Sequence, residues 1–191
     1  LSPSIALASA LALSACGGSK QGKPTVTSEF GVREAQLFED GVDLIEDPSG
    51  LEGQWRDDWE NDLNERISKS DLIASGTVTT LRTDVDLEKR TSYRVVFAVE
   101  HVFKGEKTAP ELTLVSIAGA GGYASIERDR EHMLNQKLVA FVKYAEAPQG
   151  SGAEVISHFH LSPPSDVVLA RIREFDARKH PNRVIVVEHK N

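Results

Sequence analysis

The chain has 191 residues, 40% of them hydrophobic and 27% charged, with a formal net charge of −7. That length and apolar content suit one domain with its own core, and an acidic balance with no basic stripe argues against nucleic acid as a partner. Its 1 cysteine rules out a disulfide framework, so folding must rest on the hydrophobic core.

Residues 1–15 carry no charge, and Ile5, Leu7, Leu11 and Leu13 are interspersed with alanines and serines. A transmembrane helix needs roughly 20 apolar residues. This run is shorter and has the texture of a signal-peptide core ending in small residues. It has no charged leader and no initiating methionine, so it reads as a signal peptide truncated at its start. Leu13-Ser14-Ala15-Cys16 resembles the lipobox of bacterial lipoproteins. That resemblance implies cleavage before Cys16, diacylglycerol on its thiol and a fatty acyl chain such as palmitate on the new amine. The lipid bilayer is then a partner, since stable anchoring takes more than one chain. Gly17 stands where, in the Gram-negative lipoproteins this chain resembles, an aspartate is the usual inner-membrane retention signal. The resemblance therefore implies a cell-envelope protein of the outer membrane, facing the periplasm or the cell surface.

From Gly17 to Ser70 there are 13 Asp+Glu against 6 Lys+Arg, whereas Asp71 to Asn191 holds 16 of each and is neutral. An acidic stretch beside anionic head groups is repelled from them. Residues 16–53 read as the lipidated cysteine and an acidic flexible tether. Gly17–Ser28 is Gly/Ser/Lys/Pro-rich, and Asp47-Pro48-Ser49-Gly50 forms a turn. Phe38, Val42 and Ile45 have a spacing that suits one helical face. Residues 54–191 read as the globular domain. It opens with a helix over Gln54–Ser70 whose Trp55, Trp59, Leu63 and Ile67 form one slowly drifting apolar stripe. Both tryptophans are expected to be buried.

The pattern then changes to strands. "DLIASGTVTTLR" is the first, with Gly76 as a bulge. "TSYRVVFAVEHVFKG" alternates, with Tyr93, Val95, Phe97 and Val99 on one face. "ELTLVSIA", "KLVAFVKY" and "AEVISHFHL" follow, with Arg128–Gln136 as a short helix or a mobile loop between the first two. Pro163-Pro164-Ser165 starts a further helix, with Ser165 as N-cap and Val168, Ile172 and Phe175 inward; "RVIVVEHK" is a last strand. The expected class is mainly β with flanking helices (α+β). Its centre is a five-stranded OB-like barrel, flanked by a tryptophan-bearing N-terminal helix and a C-terminal helix plus strand.

"SDLIASGTVTTL", the long strand ending "VEHVFKGE", "ELTLVSIAGAGG" and "KLVAFVKY" together resemble the bacterial relatives of the netrin/TIMP-like OB-fold. The likeness covers Asp71 to Tyr144. It includes the Asp-apolar-apolar-x-Gly-x-Val opening and the Lys104-Gly105 turn, but Asn135-Gln136 stands where a Gly-Glu pair is usual. Metalloprotease inhibition in the animal members needs a free N-terminal cysteine held by disulfides, so that activity is not implied here.

Chemical motifs are few. Gly119-Ala120-Gly121-Gly122-Tyr123-Ala124 formally fits G-x-G-x-x-[GA], but no βαβ unit surrounds it. A glycine loop at the barrel rim accounts for it. No P-loop Lys-Ser/Thr, G-x-S-x-G or H-E-x-x-H is present. His158 and His160, two apart on a strand, share a face. Val155, Phe159 and Leu161 favour the opposite face, which puts both histidines outward. A metal there would need a third ligand, such as His101 or Glu100 from the second strand. Two readings follow. One is a non-catalytic binding or structural lipoprotein, without a cofactor, that meets an envelope protein through its barrel surface. The other is a metal-dependent hydrolase using the His158/His160 face.

Overall fold

The computed structural model describes residues 29–106, 108–147 and 153–179, together with 26 and 149. Its elements, in chain order, are α1 (Val32–Leu37), β1 (Gly41–Val42), a 3-10 turn (Pro48–Gly50), α2 (Gln54–Lys69), β2 (Leu72–Val85), β3 (Thr91–Lys104), β4 (Glu111–Ile117), α3 (Tyr123–Met133), β5 (Lys137–Glu146), β6 (Val155–Ser162) and α4 (Asp166–Lys179). The expected C-terminal strand, the signal peptide and Cys16 lie outside the described residues.

The fold is mixed α+β, built on one curled sheet in the order β1-β6-β5-β2-β3-β4. All ladders are antiparallel except β1 with β6. Gly76 sits at a register shift in β2. A Cβ there would lie 2.0 Å from the Ala98 carbonyl oxygen, so glycine is required by the close approach of β3. The sheet is not the expected closed five-stranded barrel. β4 and β6 come near each other without a ladder, because the edge of β6 is taken by β1.

Both faces of the central strands are covered, which is why β5 reads as an almost unbroken apolar run. On the inner face, Val78, Tyr93, Val95, Phe97, Leu138 and Phe159 pack with Ile126 and Met133 of α3. On the outer face, Ile73, Val139 and Phe141 pack beneath Leu63 and Ile67 of α2 and Val168 and Ile172 of α4. The amide of Val168 bonds Ser165 Oγ at 3.4 Å, the cap expected from the sequence. Lys104 Nζ donates to the carbonyls of Ile67 (2.9 Å) and Ser68 (2.7 Å), satisfying acceptors left open where α2 ends.

Two expectations are corrected here. Trp55 is 78% exposed, whereas Trp59 is 9% exposed and belongs to the outer core. A four-residue step advances a helix by about 400°, so each stripe residue is rotated by about 40° from the last. By Trp55 the stripe has turned away from the sheet.

The second correction concerns residues 29–53, which are not a flexible tether. Arg33 bonds Asp62 and Glu65 of α2, and Arg66 Nε donates to the Leu37 carbonyl at 3.0 Å. The helix stops at Leu37, so Phe38, Val42 and Ile45 do not share a helical face. Phe38 enters the outer core and Val42 the inner one. Burying side chains of this kind contributes about 1.5–3 kcal/mol each. That is enough to hold a segment whose acidic composition looks solvated.

Candidate functional site

His158 and His160 do lie on one face of β6, opposite Phe159 and Leu161, but His158 is only partly exposed and His160 is buried. The segment carrying β1 runs parallel to β6 along its free edge. The Asp40 amide bonds the Phe159 carbonyl at 2.9 Å, and the Asp43 amide bonds the Leu161 carbonyl at 2.9 Å. These contacts bring two carboxylates onto the two imidazoles. His160 is 2% exposed. The expected face is the one observed, but the expectation of solvent-facing side chains is corrected for His160, because strand alternation reports the face and not what covers it.

His160 Nε2 lies 2.7 Å from Asp43 Oδ2, which also accepts from Ser162 Oγ at 2.9 Å. Burial, reinforced by the nearby Arg66 charge, pushes the His160 pKa down against the pull of Asp43. Burial opposes ionisation of Asp43, but the His160 bond, the Arg66 charge and the Ser162 hydroxyl hold its carboxyl below the ordinary range. The pair is thus a carboxylate beside a neutral imidazole with its hydrogen on Nε2. His160 Nδ1 has no hydrogen-bond partner among the described residues, and Glu39 Oε1 is 3.8 Å from it.

His158 Nδ1 faces Asp40 Oδ2 at 3.0 Å, while Asp40 Oδ1 accepts from the Phe159 amide at 3.0 Å. Asp40 itself is in left-handed backbone, with φ 60. Asp is among the few side chains that tolerate this, because it bonds locally. The His158 ring stacks on Phe30, with centroids 4.1 Å apart. Each imidazole is thus oriented by one carboxylate, and together the two pairs fasten β1 to the sheet.

The suggested third ligands are elsewhere. β3 is separated from β6 by β5 and β2. Glu100 bonds Lys137 Nζ at 3.0 Å and Thr77 Oγ1 at 2.8 Å, and His101 packs edge-on against Phe103. Among the described residues no group of three or more His, Cys, Asp or Glu is arranged to hold a metal ion.

The glycine loop has a packing role at the same seam. A Cβ on Gly122 would lie 2.3 Å from Gly41 Cα, and the Gly122 amide is bonded to the Glu39 carbonyl at 2.6 Å. The Val42 amide, on the side away from β6, bonds Ser125 Oγ of α3 at 2.9 Å. The loop therefore seats β1 between β6 and α3, and the Gly122 amide is already occupied by protein. Asp40 and Asp43 escaped the sequence reading because the histidines they bond lie 118 and 117 residues further along the chain, and no local spacing signals such a pair.

A groove of about 540 Å³ between α2 and α4 is lined by Asn64, Ile67, Arg171, Glu174, Phe175 and Arg178. None of the paired histidines or carboxylates lines it. Among the described residues no helix is long and apolar enough to cross a membrane. No protein-family model matches the chain, and no curated protein matches it.

Proposed function

We propose that the chain is a cell-envelope lipoprotein, anchored through acylated Cys16, whose domain is a non-catalytic binding or structural module. The observation that carries this reading is the placement of its 1 cysteine directly after Leu13-Ser14-Ala15, at the end of an uncharged small-residue run. The structure contributes a supporting point: the imidazoles that looked available for chemistry are each committed to a carboxylate of the β1 segment. We also read the sheet as an opened OB barrel. β2 lies between β3 and β5, α3 links β4 to β5, and β1 is an addition on the β6 edge that keeps the barrel from closing. Such barrels bind through their surfaces and rim loops, and fold alone names no ligand.

In this reading the outer membrane is the site of anchoring, because Gly17 follows the cysteine. The acidic third of the chain is then carried on the α1/α2 side of the domain and is repelled from anionic head groups. Cys16→Ser tests the anchor. The expected result is loss of acylation, with the protein moving to the soluble fraction or persisting as an uncleaved precursor. Mass spectrometry of the wild-type chain should find a mature N-terminus at an acylated Cys16. A variant that is still acylated, or a mature chain that keeps residues before Cys16, refutes the reading.

A further inference from the structure

β2 is longer than the neighbour on one of its sides. Its ladder with β5 ends at Thr77, and the last bonds there are Val78 N–H to the Gln136 carbonyl (3.1 Å) and Asn135 N–H to the Val78 carbonyl (2.8 Å). Thr79 is the extra residue of a bulge, and from Thr80 to Val85 the strand pairs only with β3. Two bonds fix which backbone groups are left over. Asp86 N–H donates to the Arg90 carbonyl at 3.1 Å, and Ala118 N–H donates to the Thr91 carbonyl at 2.8 Å. Thr91 therefore faces β4, while Arg90, Ser92 and Arg94 face β2. Their partners Asp86, Asp84 and Arg82 turn their backbone groups toward β3. The N–H and C=O groups of Leu81, Thr83 and Val85 point outward and meet no partner among the described residues. The stretch Thr79–Val85 contains no proline or lysine; of the devices that protect natural edge strands it carries the Thr79 bulge at its start and the charges of Arg82 and Asp84.

We propose that two copies of this chain pair through this edge, antiparallel, about a twofold axis at Thr83. In that register Leu81 faces Val85 of the second copy, Arg82 faces its Asp84, and Thr83 faces its own equivalent. The residues brought opposite one another across the axis are those with outward backbone groups, which gives about six hydrogen bonds. Arg82 and Asp84 lie on one face of the strand and are partly exposed; within the chain Asp84 already pairs with Arg94 at 2.7 Å and with Arg82 at 3.4 Å, and the axis brings each Asp84 a further arginine, Arg82 of the second copy. On the other face Leu81 already packs against the inner core, and the pairing covers Val85, which is 65% exposed. Alternative axes fail: one at Leu81 sets Thr83 against the Thr79 bulge and leaves Arg82 opposite Thr80, with no opposite charge to meet. Centring on Arg82 or Asp84 sets like charges opposite each other and presents backbone groups already used by β3. Centring on Val85 sets Asp84 against Asp86. The charge pattern is complementary to itself at one register, and that selects a second copy as the occupant of the edge.

The test is sedimentation equilibrium on the full chain in density-matched detergent, with Cys16→Ser in every sample so that the result does not depend on lipid anchoring. The expected species has twice the monomer mass. Thr83→Pro removes an outward N–H and no bond to β3, so it should weaken the dimer by roughly tenfold or more while the circular dichroism spectrum is retained. Should Thr83→Pro disturb the hairpin, Arg82→Asp gives the same readout by placing an acid against Asp84 of the second copy. Thr83→Cys should form an interchain disulfide on mild oxidation, whereas Thr113→Cys on β4 should not. A chain that is monomeric up to ~1 mM, a dimer insensitive to both substitutions, or equal crosslinking at Thr83→Cys and Thr113→Cys overturns the proposal.

Discussion

Asp43 and His160 are 117 residues apart in the chain, and their side chains meet at 2.7 Å in a buried pair that joins the β1 segment to β6. The pair makes stability depend on pH. His160 keeps a folded pKa below the ordinary imidazole value of 6.5. As pH falls through 6.5, the unfolded chain takes up a proton that folded His160 refuses, and the native state loses ground. The Asp43 carboxyl is held below its ordinary 3.8, so it adds a second loss in the same direction, setting in below that value. We expect the unfolding free energy from urea melts to drop between about pH 7.5 and 5.5, by at most ~1.4 kcal/mol per pH unit for the single imidazole proton. His160→Gln keeps a donor for Asp43 but cannot titrate, and it should flatten that slope. An unchanged slope in the variant would assign the effect to another group.

Removing the imidazole altogether is a different matter. His160→Ala leaves the buried Asp43 carboxylate with the Ser162 hydroxyl but without its shortest bond. A cost of about 2–3 kcal/mol in denaturant unfolding is expected for a charged acceptor stripped of a donor.

The tryptophans supply a paired test of α2. Trp59→Ala deletes an aromatic side chain of the outer core and should cost about 3–5 kcal/mol. Trp55→Ala, at a position 78% exposed, should change stability by less than ~0.5 kcal/mol. Chemical denaturation of the two single variants distinguishes them directly, and equal losses would place both rings in the core.

That contrast marks what the sequence could and could not reveal. The β2–β3 hairpin, the Gly76 bulge and the Ser165 cap were legible because each is signalled within a few residues. Alternation identifies a strand, and a serine after two prolines identifies a helix start. β1 was not legible: Gly41–Val42 is too short to show a period, and its partner strand lies more than a hundred residues on. The acids around it looked like solvated tether charge, since neither Asp40 nor Asp43 announces a histidine. For β6 the alternation correctly separated Phe159 and Leu161 from His158 and His160. It could not show that both faces of the sheet are covered.

Gly122 should be among the least replaceable residues in the chain. An added methyl would collide with Gly41 backbone at 2.3 Å, and neither side can yield by rotating a side chain. Gly122→Ala should cost about 3 kcal/mol, at the upper end of overpacking penalties. Gly50→Ala, where an added Cβ meets nothing within 4 Å, should be nearly neutral. Hydrogen exchange on Gly122→Ala should show faster exchange at the Asp40 and Asp43 amides, which bond across to β6. Protection retained there would mean that β1 docks without help from the loop.

The last prediction concerns Lys143 and Asp71. Lys143 Nζ lies 3.0 Å from Asp71 Oδ1, with side-chain exposures of 2% and 8%, and Asp71 Oδ2 accepts from the Tyr144 amide at 2.9 Å. A lysine in the middle of an otherwise apolar strand is tolerable only with its charge matched, since removing one member of a buried pair leaves the other desolvated and uncompensated. Lys143→Met and Asp71→Ala should therefore each cost about 3–5 kcal/mol. In the double variant neither charge remains to be stranded, so its loss should fall well short of the sum of the two. A double-mutant cycle by urea unfolding measures the difference, and a coupling of about 1–3 kcal/mol is expected for groups in direct contact. Additive losses would mean that the two side chains are stabilised separately, by their other neighbours, and that the short distance between them carries no coupling energy.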